Sequence, residues 1–378
     1  MPTTIFEVMS GLARETGAIN LGQGFPDSNG PDDVVEAARR ALVERSNQYP
    51  PMAGLPELRQ AVAAHYRRHQ GLDLDWASEV TVTSGATEAL AAAIFALVAP
   101  GDEVVLFQPL YDAYLPLVLR AGGMPRLVSL SPPDWDLDPA LLDRAFTPKT
   151  RLVILNTPLN PTASLFGREA LARLAERIVA ADAVAIADEV WEHLVYDGAG
   201  HVPLMALPGM RERVVKIGSA GKIFSLTGWK VGWMCAAPRL TRVLARAHQF
   251  LTFTTPPNLQ AAAACGLAKD DSYFMEMRRA YARSRDRLAA GLRAAGYRVL
   301  PSAATYFLTV DLPGSGIAAD DMTFCQRAVR EAGVAAIPIS AFYAENALTS
   351  VVRLCFAKTD ATIDGGIEAL ARARALFA

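Results

Sequence analysis

Between residues 80 and 237 the chain repeats one pattern, a short run that is apolar at nearly every position followed by a stretch with helical periodicity. The runs are VTVT (80–83), EVVLF (103–107), RLVILN (151–156), AVAIAD (183–188), RVVKIG (213–218) and VGWMCAA (231–237). A strand with one face in water alternates apolar and polar residues, because successive side chains point to opposite faces. A run that is apolar on both parities needs cover on both faces, and helical crossovers between parallel strands supply it. The pattern predicts an α/β fold whose main part is a large three-layer domain with a mainly parallel sheet.

At 378 residues the chain exceeds what one hydrophobic core usually serves. From Asp270 to Gly296 it is rich in Arg and Ala with helical spacing, which predicts one long helix carrying the chain out of the first domain. Beyond it, YFLTVDL (306–312) and VVRLCFA (351–357) flank a helical stretch around Phe324 to Ala332, the outline of a smaller α/β domain.

A formal net charge of −2 gives no reason to expect nucleic acid as a partner. Cys235, Cys265, Cys325 and Cys355 are widely spaced with no CxxC pair, so they read as small buried hydrophobes rather than a disulfide framework or zinc ribbon. The amino terminus, MPTTIFEVMSGLARETG, lacks the basic and then apolar halves of a signal peptide. No apolar run is long enough to span a bilayer. These features predict a cytoplasmic protein without a membrane partner.

In an open parallel sheet, ligands collect beyond the carboxyl ends of the strands, where loops and helix amino termini converge. Just after successive runs stand Ser84-Gly85-Ala86-Thr87, Asn156 and Asn160, Asp188, and Ser219 and Lys222. TSGATEAL (83–90) is a strand, a turn and a helix start, able to present free amide N–H groups to a phosphate. A serine before a helix with a glutamate later is equally an ordinary capping box. No GK[ST] follows, so it is not a Walker loop.

The stretch SAGKIFSLTGWKVGW (219–233) resembles the lysine motif of the class I and II aminotransferases, which are fold type I pyridoxal-phosphate enzymes. Within them it is most similar to the kynurenine, glutamine and methionine aminotransferase branch. The resemblance extends through AINLGQGFPD (18–27), NQYPPMAGLPELR (47–59), LNTPLNPT (155–162), IADEVWEHLVYDG (186–198) and VVRLCFAKTD (351–360). It implies a large cofactor domain (41–282) and a small domain built from both termini (1–40 and 283–378). It also implies a homodimer with sites at the subunit interface.

The resemblance further implies that pyridoxal 5'-phosphate is held as a Schiff base by Lys222, which then moves the proton between substrate and cofactor. Asp188 would keep the pyridine nitrogen protonated by charge pairing, making the ring an electron sink. Asn160 would hydrogen-bond the phenolic oxygen, Asn156 would order the loop or contact substrate, and Tyr111 would stack on the ring. The phosphate would lie against Gly85 and the amides of Ala86 and Thr87, Ser219, Lys230, and Tyr49 from the partner subunit. Arg353 would clamp the substrate α-carboxylate, with the Gly24 backbone as a second contact.

Four departures from the family pattern bear on the site. Trp191 stands where tyrosine is usual, and an indole N–H can donate but not ionise near neutrality. Ala163 replaces a usual glycine, Leu159 a common asparagine. Lys230 stands where arginine is common, at the cost of bidentate geometry.

His65 and His69 have zinc-ligand spacing, but Tyr66 stands where a metalloprotease needs its glutamate, so they read as solvated helix-face residues and no metal is expected. Gly22-Gln23-Gly24 lacks the third glycine of a dinucleotide fingerprint. The expected activity is amino transfer from an L-amino acid (methionine, glutamine, aromatic or kynurenine-like) to a 2-oxo acid, with Phe6, Phe253 and Tyr49 as candidate apolar walls. A cysteine-conjugate β-lyase and a succinyldiaminopimelate aminotransferase share the same machinery. A cofactor-binding regulator is a rival of another class, for which the sequence carries no helix-turn-helix extension.

Overall fold

The computed structural model describes residues 3–377. Its centre is a seven-stranded sheet in the order Val80–Thr83, Gly232–Cys235, Val214–Ser219, Val184–Asp188, Thr150–Asn156, Glu103–Gln108, Met124–Ser129. All neighbouring pairs are parallel except the two made by Gly232–Cys235, which runs against both of its neighbours. The six strands anticipated from their apolar runs are all present. Their burial is near-continuous on both parities, as the cover of helices on both faces requires.

The seventh strand, Met124–Ser129, has no continuous apolar run, and its composition did not announce it. It lies at the sheet edge and is mostly half-exposed, so Pro125 and Arg126 are tolerated there.

A second sheet orders Ile337–Pro338, Val351–Cys355, Phe307–Asp311 and Arg298–Val299, with antiparallel pairing throughout. Near it, Ile19–Asn20 pairs in parallel with Val334–Ala335, so the start of the chain is stitched to its last third. The long helix is Asp271–Ala294, 24 residues, or roughly 36 Å at 1.5 Å per residue. The expected domain divisions at 40/41 and 282/283 both fall inside helices, Asp32–Glu44 and Asp271–Ala294. The first of these helices packs along Pro257–Leu267, on the side of the larger sheet.

Two expectations about burial need correction. Cys235, Cys325 and Cys355 are buried, but Cys265 is exposed. His65 is not solvated: it is 2% exposed, because the face of helix Pro56–Gln70 that carries it packs inward with Leu58, Val62 and Tyr66.

Candidate active site

The parallel strands end side by side, and their last residues form the floor of a cavity of about 250 Å³. Asn156 and Asp188 close adjacent strands and face each other in register. Ser219 closes the next, and the single turn Ala220–Ile223 that follows carries Lys222 into the same space.

The phosphate-cradle expectation rests on backbone geometry. Gly85 has φ +72, and a Cβ there would meet Lys230 Cε at 3.2 Å. A Cβ on Gly232 would lie 2.8 Å from the Ala86 nitrogen, so the segment after Lys230 can lie close against this helix start only because both positions are glycine. The capping-box alternative is only half realised. Glu88 accepts from the Ser84 N–H at 3.0 Å, but the Ser84 side chain makes no cap, leaving the amides of Ala86 and Thr87 without that acceptor. Lys230 has φ 54 and an exposed side chain that borders the cavity.

Asp188 is 5% exposed; its Oδ2 accepts from the Tyr114 hydroxyl at 2.5 Å, and its Oδ1 is buried with no partner. Burial pushes the carboxyl up to about 6, against the pull of the Tyr114 hydrogen bond and the Lys222 charge. Burial likewise lowers the Lys222 ammonium to about 8, with Asp188 pulling the other way. Lys222 Nζ donates to the Tyr306 hydroxyl at 3.2 Å and lies 4.7 Å from the Trp191 ring. Tyr306 in turn donates to the Gly24 carbonyl at 2.6 Å.

Asn156 uses both ends of its amide on the backbone, donating to the Asp188 carbonyl at 2.9 Å and accepting from the Asn160 N–H at 2.8 Å. Between the alternative roles for Asn156, loop ordering is what these bonds perform. Asn160 Oδ1 accepts from Arg353 Nη1 at 2.9 Å, and Arg353 Nη2 donates to the Gly22 carbonyl at 2.8 Å. Arg353 lies on the central strand Val351–Cys355, 1% exposed, with Nε unpartnered. Burial draws its guanidinium down to about 10, so it stays cationic at neutral pH, with Asp112 among the groups that oppose the fall.

Three phenylalanine rings enclose that guanidinium: Phe307 at 4.0 Å, Phe6 at 5.1 Å and Phe342 at 5.4 Å. Tyr111 lines the cavity, its phenol raised to about 12 by burial and by Asp112, against a hydrogen bond with Thr87. Ala163 adopts φ 63, the left-handed region in which glycine is free. Its carbonyl accepts from the amides of Ala303 and Ala304 at 3.0 and 3.1 Å, which holds it there.

The structure thus gathers Gly85, Ala86, Thr87 and Tyr111 with Asn156, Asn160, Asp188 and Trp191, and with Ser219, Lys222 and Lys230, around one cavity. Gly24 and Arg353 adjoin it through Tyr306 and Asn160. Tyr49 does not line it: it is 84% exposed and packs edge-on against Phe253 at 5.7 Å, so neither aromatic forms a wall within this chain. Reading the sequence missed Tyr114, Tyr306 and Thr227. Tyr114 stands three residues after Tyr111, Thr227 lies inside the lysine motif at 219–233, and Tyr306 falls in a stretch with no strand-end signal.

A mainly parallel sheet with a lysine and an acid gathered at its strand ends, beside a helix start led by glycine, is the architecture of the fold type I enzymes. The chain belongs to the aminotransferase class I and II family, which it matches over residues 16–370, and it is an aminotransferase. It is 45% identical to the probable N-succinyldiaminopimelate aminotransferase of Mycobacterium tuberculosis, over 97% of this chain and 95% of that one. The solved N-succinyldiaminopimelate aminotransferase from that organism superposes with a TM-score of 0.96, covering 98% of this chain and 97% of the other. The methionine aminotransferase of Escherichia coli is 41% identical over 97% of this chain and 95% of its own. Human kynurenine–oxoglutarate transaminase 1 is 37% identical over 95% and 93%. Among the described residues no helix is long and apolar enough to cross a membrane.

Proposed function

We propose that this aminotransferase uses pyridoxal 5'-phosphate, with Lys222 as its covalent anchor and Asp188 as the partner of the ring nitrogen. The observation that carries the reading is the buried, unpartnered Oδ1 of Asp188, an acceptor facing a cavity that also holds a lysine amine near neutrality. Gly85, where any side chain would press on Lys230, gives the phosphate its room. When bound, the group supplies an electron sink for a substrate carbanion.

The protein's own residues do the rest. Asp188, held by Tyr114, offers a fixed negative charge in a dry site. Arg353, cationic and fixed by Asn160 and the Gly22 carbonyl, presents its fork to the substrate carboxylate and orients the Cα–H. Lys222, with a free amine above about pH 8, takes that proton and returns it. Tyr306 fixes the lysine through a hydroxyl whose own proton is committed to the Gly24 carbonyl.

For the donor, the rings of Phe6, Phe307 and Phe342 around Arg353 favour an apolar or aromatic L-amino acid, with a 2-oxo acid as acceptor. A bulky N-succinylated diamino acid is a second reading, supported by the 45% identity to the mycobacterial relative. Tyr49 at 84% and Phe250 at 85% exposure leave aromatic surface that a second copy would cover, which supports a homodimer in which Tyr49 completes the partner's phosphate site. The test is the absorbance of the purified protein during titration with a panel of L-amino acids, alongside Lys222→Ala. Loss of the cofactor's visible band with methionine or phenylalanine, and not with aspartate, supports the apolar reading. The opposite ranking sinks it, and no band even after adding cofactor sinks the whole assignment.

A further inference from the structure

The chain has five histidines, and four of them surround one place that the amino-transfer chemistry does not use. A second cavity, of about 340 Å³, is lined by His69, Gln70, Glu192, His193, His201 and Arg278, and shares no lining residue with the cavity at Lys222. At its inner wall His65 Nε2 lies 2.7 Å from His193 Nε2. The ring centroids of His65, His69 and His193 are 4.4 to 5.0 Å apart in all three pairs. One ring nitrogen from each lies within 4.8 Å of the others.

We propose that His65, His69 and His193 form a binding site for one divalent transition-metal ion of the zinc class. Imidazole nitrogens bound to zinc at about 2.0–2.1 Å stand roughly 3.3 Å from one another, between the 2.7 Å of the His65–His193 pair and the 4.8 Å that bounds the three-way spacing. Two buried atoms without partners belong to the same group of side chains, His65 Nδ1 and Glu192 Oε1. His65 is 2% and Glu192 6% exposed, so both side chains are held in the interior. The carboxylate reaches the cavity that His69 and His193 line, which makes Glu192 the candidate fourth ligand.

The surroundings suit a cation and its ligands. His69 Nε2 accepts from Arg68 Nε at 3.0 Å, so Nδ1 is the ring nitrogen left for an ion, and Asp271 Oδ1 stands 3.8 Å from Nε2. Phe274 stacks on His193 at 4.6 Å and 29°, fixing the ring plane. Arg68, Arg278 and Lys216 face the cluster from the positive side, and Glu189, Glu192 and Asp271 from the negative, so the formal charges cancel. In the neighbouring trio Glu189, Glu192 and His201 the Lys216 ammonium pairs with Glu189 Oε2 and Glu192 Oε2, and Glu192 Oε1 is the carboxylate oxygen of that trio left without a partner. His69, with 16% of its side chain exposed at the cavity mouth, gives the ion a way in.

Bound metal would tie helix Pro56–Gln70 to the turn after Asp188, two residues from Trp191. The i, i+4 histidine pair was discounted in sequence because Tyr66 breaks the protease motif. Its third member lies 124 residues beyond His69, where no local pattern could join it.

The experiment uses the cofactor-loaded enzyme, stripped with a chelator and dialysed, then titrated with Co²⁺ and with Zn²⁺. Expected are about one Co²⁺ per chain with the visible bands of a nitrogen-rich tetrahedral site, displacement by Zn²⁺, and a rise of a few degrees in unfolding temperature. His69→Gln, at a partly exposed position that leaves the core untouched, is expected to weaken binding at least tenfold, and Cys265→Ser to leave it unchanged. Absence of a stoichiometric Co²⁺ spectrum overturns the proposal. So does a spectrum that survives His69→Gln or disappears in Cys265→Ser.

Discussion

Two lysines six residues apart, both facing carboxylates at the ends of the same strands, have opposite surroundings. Lys216 is wholly buried and its ammonium pairs with Glu189 and with Glu192, the latter at 2.8 Å. Burial by itself would lower its pKa, but the two carboxylates together raise it. Burial by itself would raise Glu189, yet Lys216 and His201 hold that carboxyl down at about 2. Lys222 faces one acid, Asp188, that has spent one oxygen on Tyr114 and kept the other unpaired. There burial wins on both sides, bringing the lysine down to about 8 and the acid up to about 6. Where a cation is paired with two carboxylates the charges stay locked, whereas a lysine facing one half-partnered acid holds groups that can change protonation near neutral pH.

The sharpest way to break this contrast is to delete each lysine. Lys222→Ala is expected to lower transamination at least about 10⁴-fold while the unfolding temperature barely moves. More than a hundredth of wild-type turnover would mean that another base serves. Asp188→Asn is expected to cost about 10²- to 10³-fold in kcat, since the amide keeps the shape and loses the charge.

Lys216→Met should show the reverse profile. It strands two buried carboxylates and is expected to destabilise the fold by about 3–5 kcal/mol, read from the denaturant midpoint, with turnover in the cold largely kept. The same cluster predicts acid sensitivity. Because Glu189 is held below its ordinary 4.5, its contribution is present above about 4.5 and is lost as the pH falls towards 2.

A subtler comparison uses the amine itself. The reactivity of Lys222 towards an acylating reagent, followed by peptide mass spectrometry, should rise about tenfold per pH unit up to about 8 and then level. A plateau only above 10 would show that burial does not lower this lysine. Smallest is Tyr114→Phe: losing one charged hydrogen bond, worth about 1.5–3 kcal/mol, should raise the Asp188 carboxyl further and cut kcat by less than about tenfold. If kcat falls as far as in Asp188→Asn, Tyr114 does more than position the acid.

The apolar runs between 80 and 237 made the parallel sheet legible, because strands buried on both faces must be apolar on both parities. Met124–Ser129 escaped because an edge strand has no such requirement. Most of the site was legible for a related reason: Asn156, Asp188, Ser219 and Lys222 follow directly on strand ends, where an open sheet collects its ligands. Tyr306 was not, since only the fold brings its hydroxyl 84 residues back to Lys222.

By itself, then, the sequence determined which stretches become buried strands and which residues stand at their ends, since periodicity and turn chemistry act over a few residues. Only the tertiary structure decided which charges would be satisfied. Nothing local says that Lys216 and Glu189 are neutralised while Lys222 and Asp188 are left open. That depends on Tyr114, Glu192, Arg353 and the histidines converging from distant segments, because electrostatic energy is set by separation in space and by the exclusion of water.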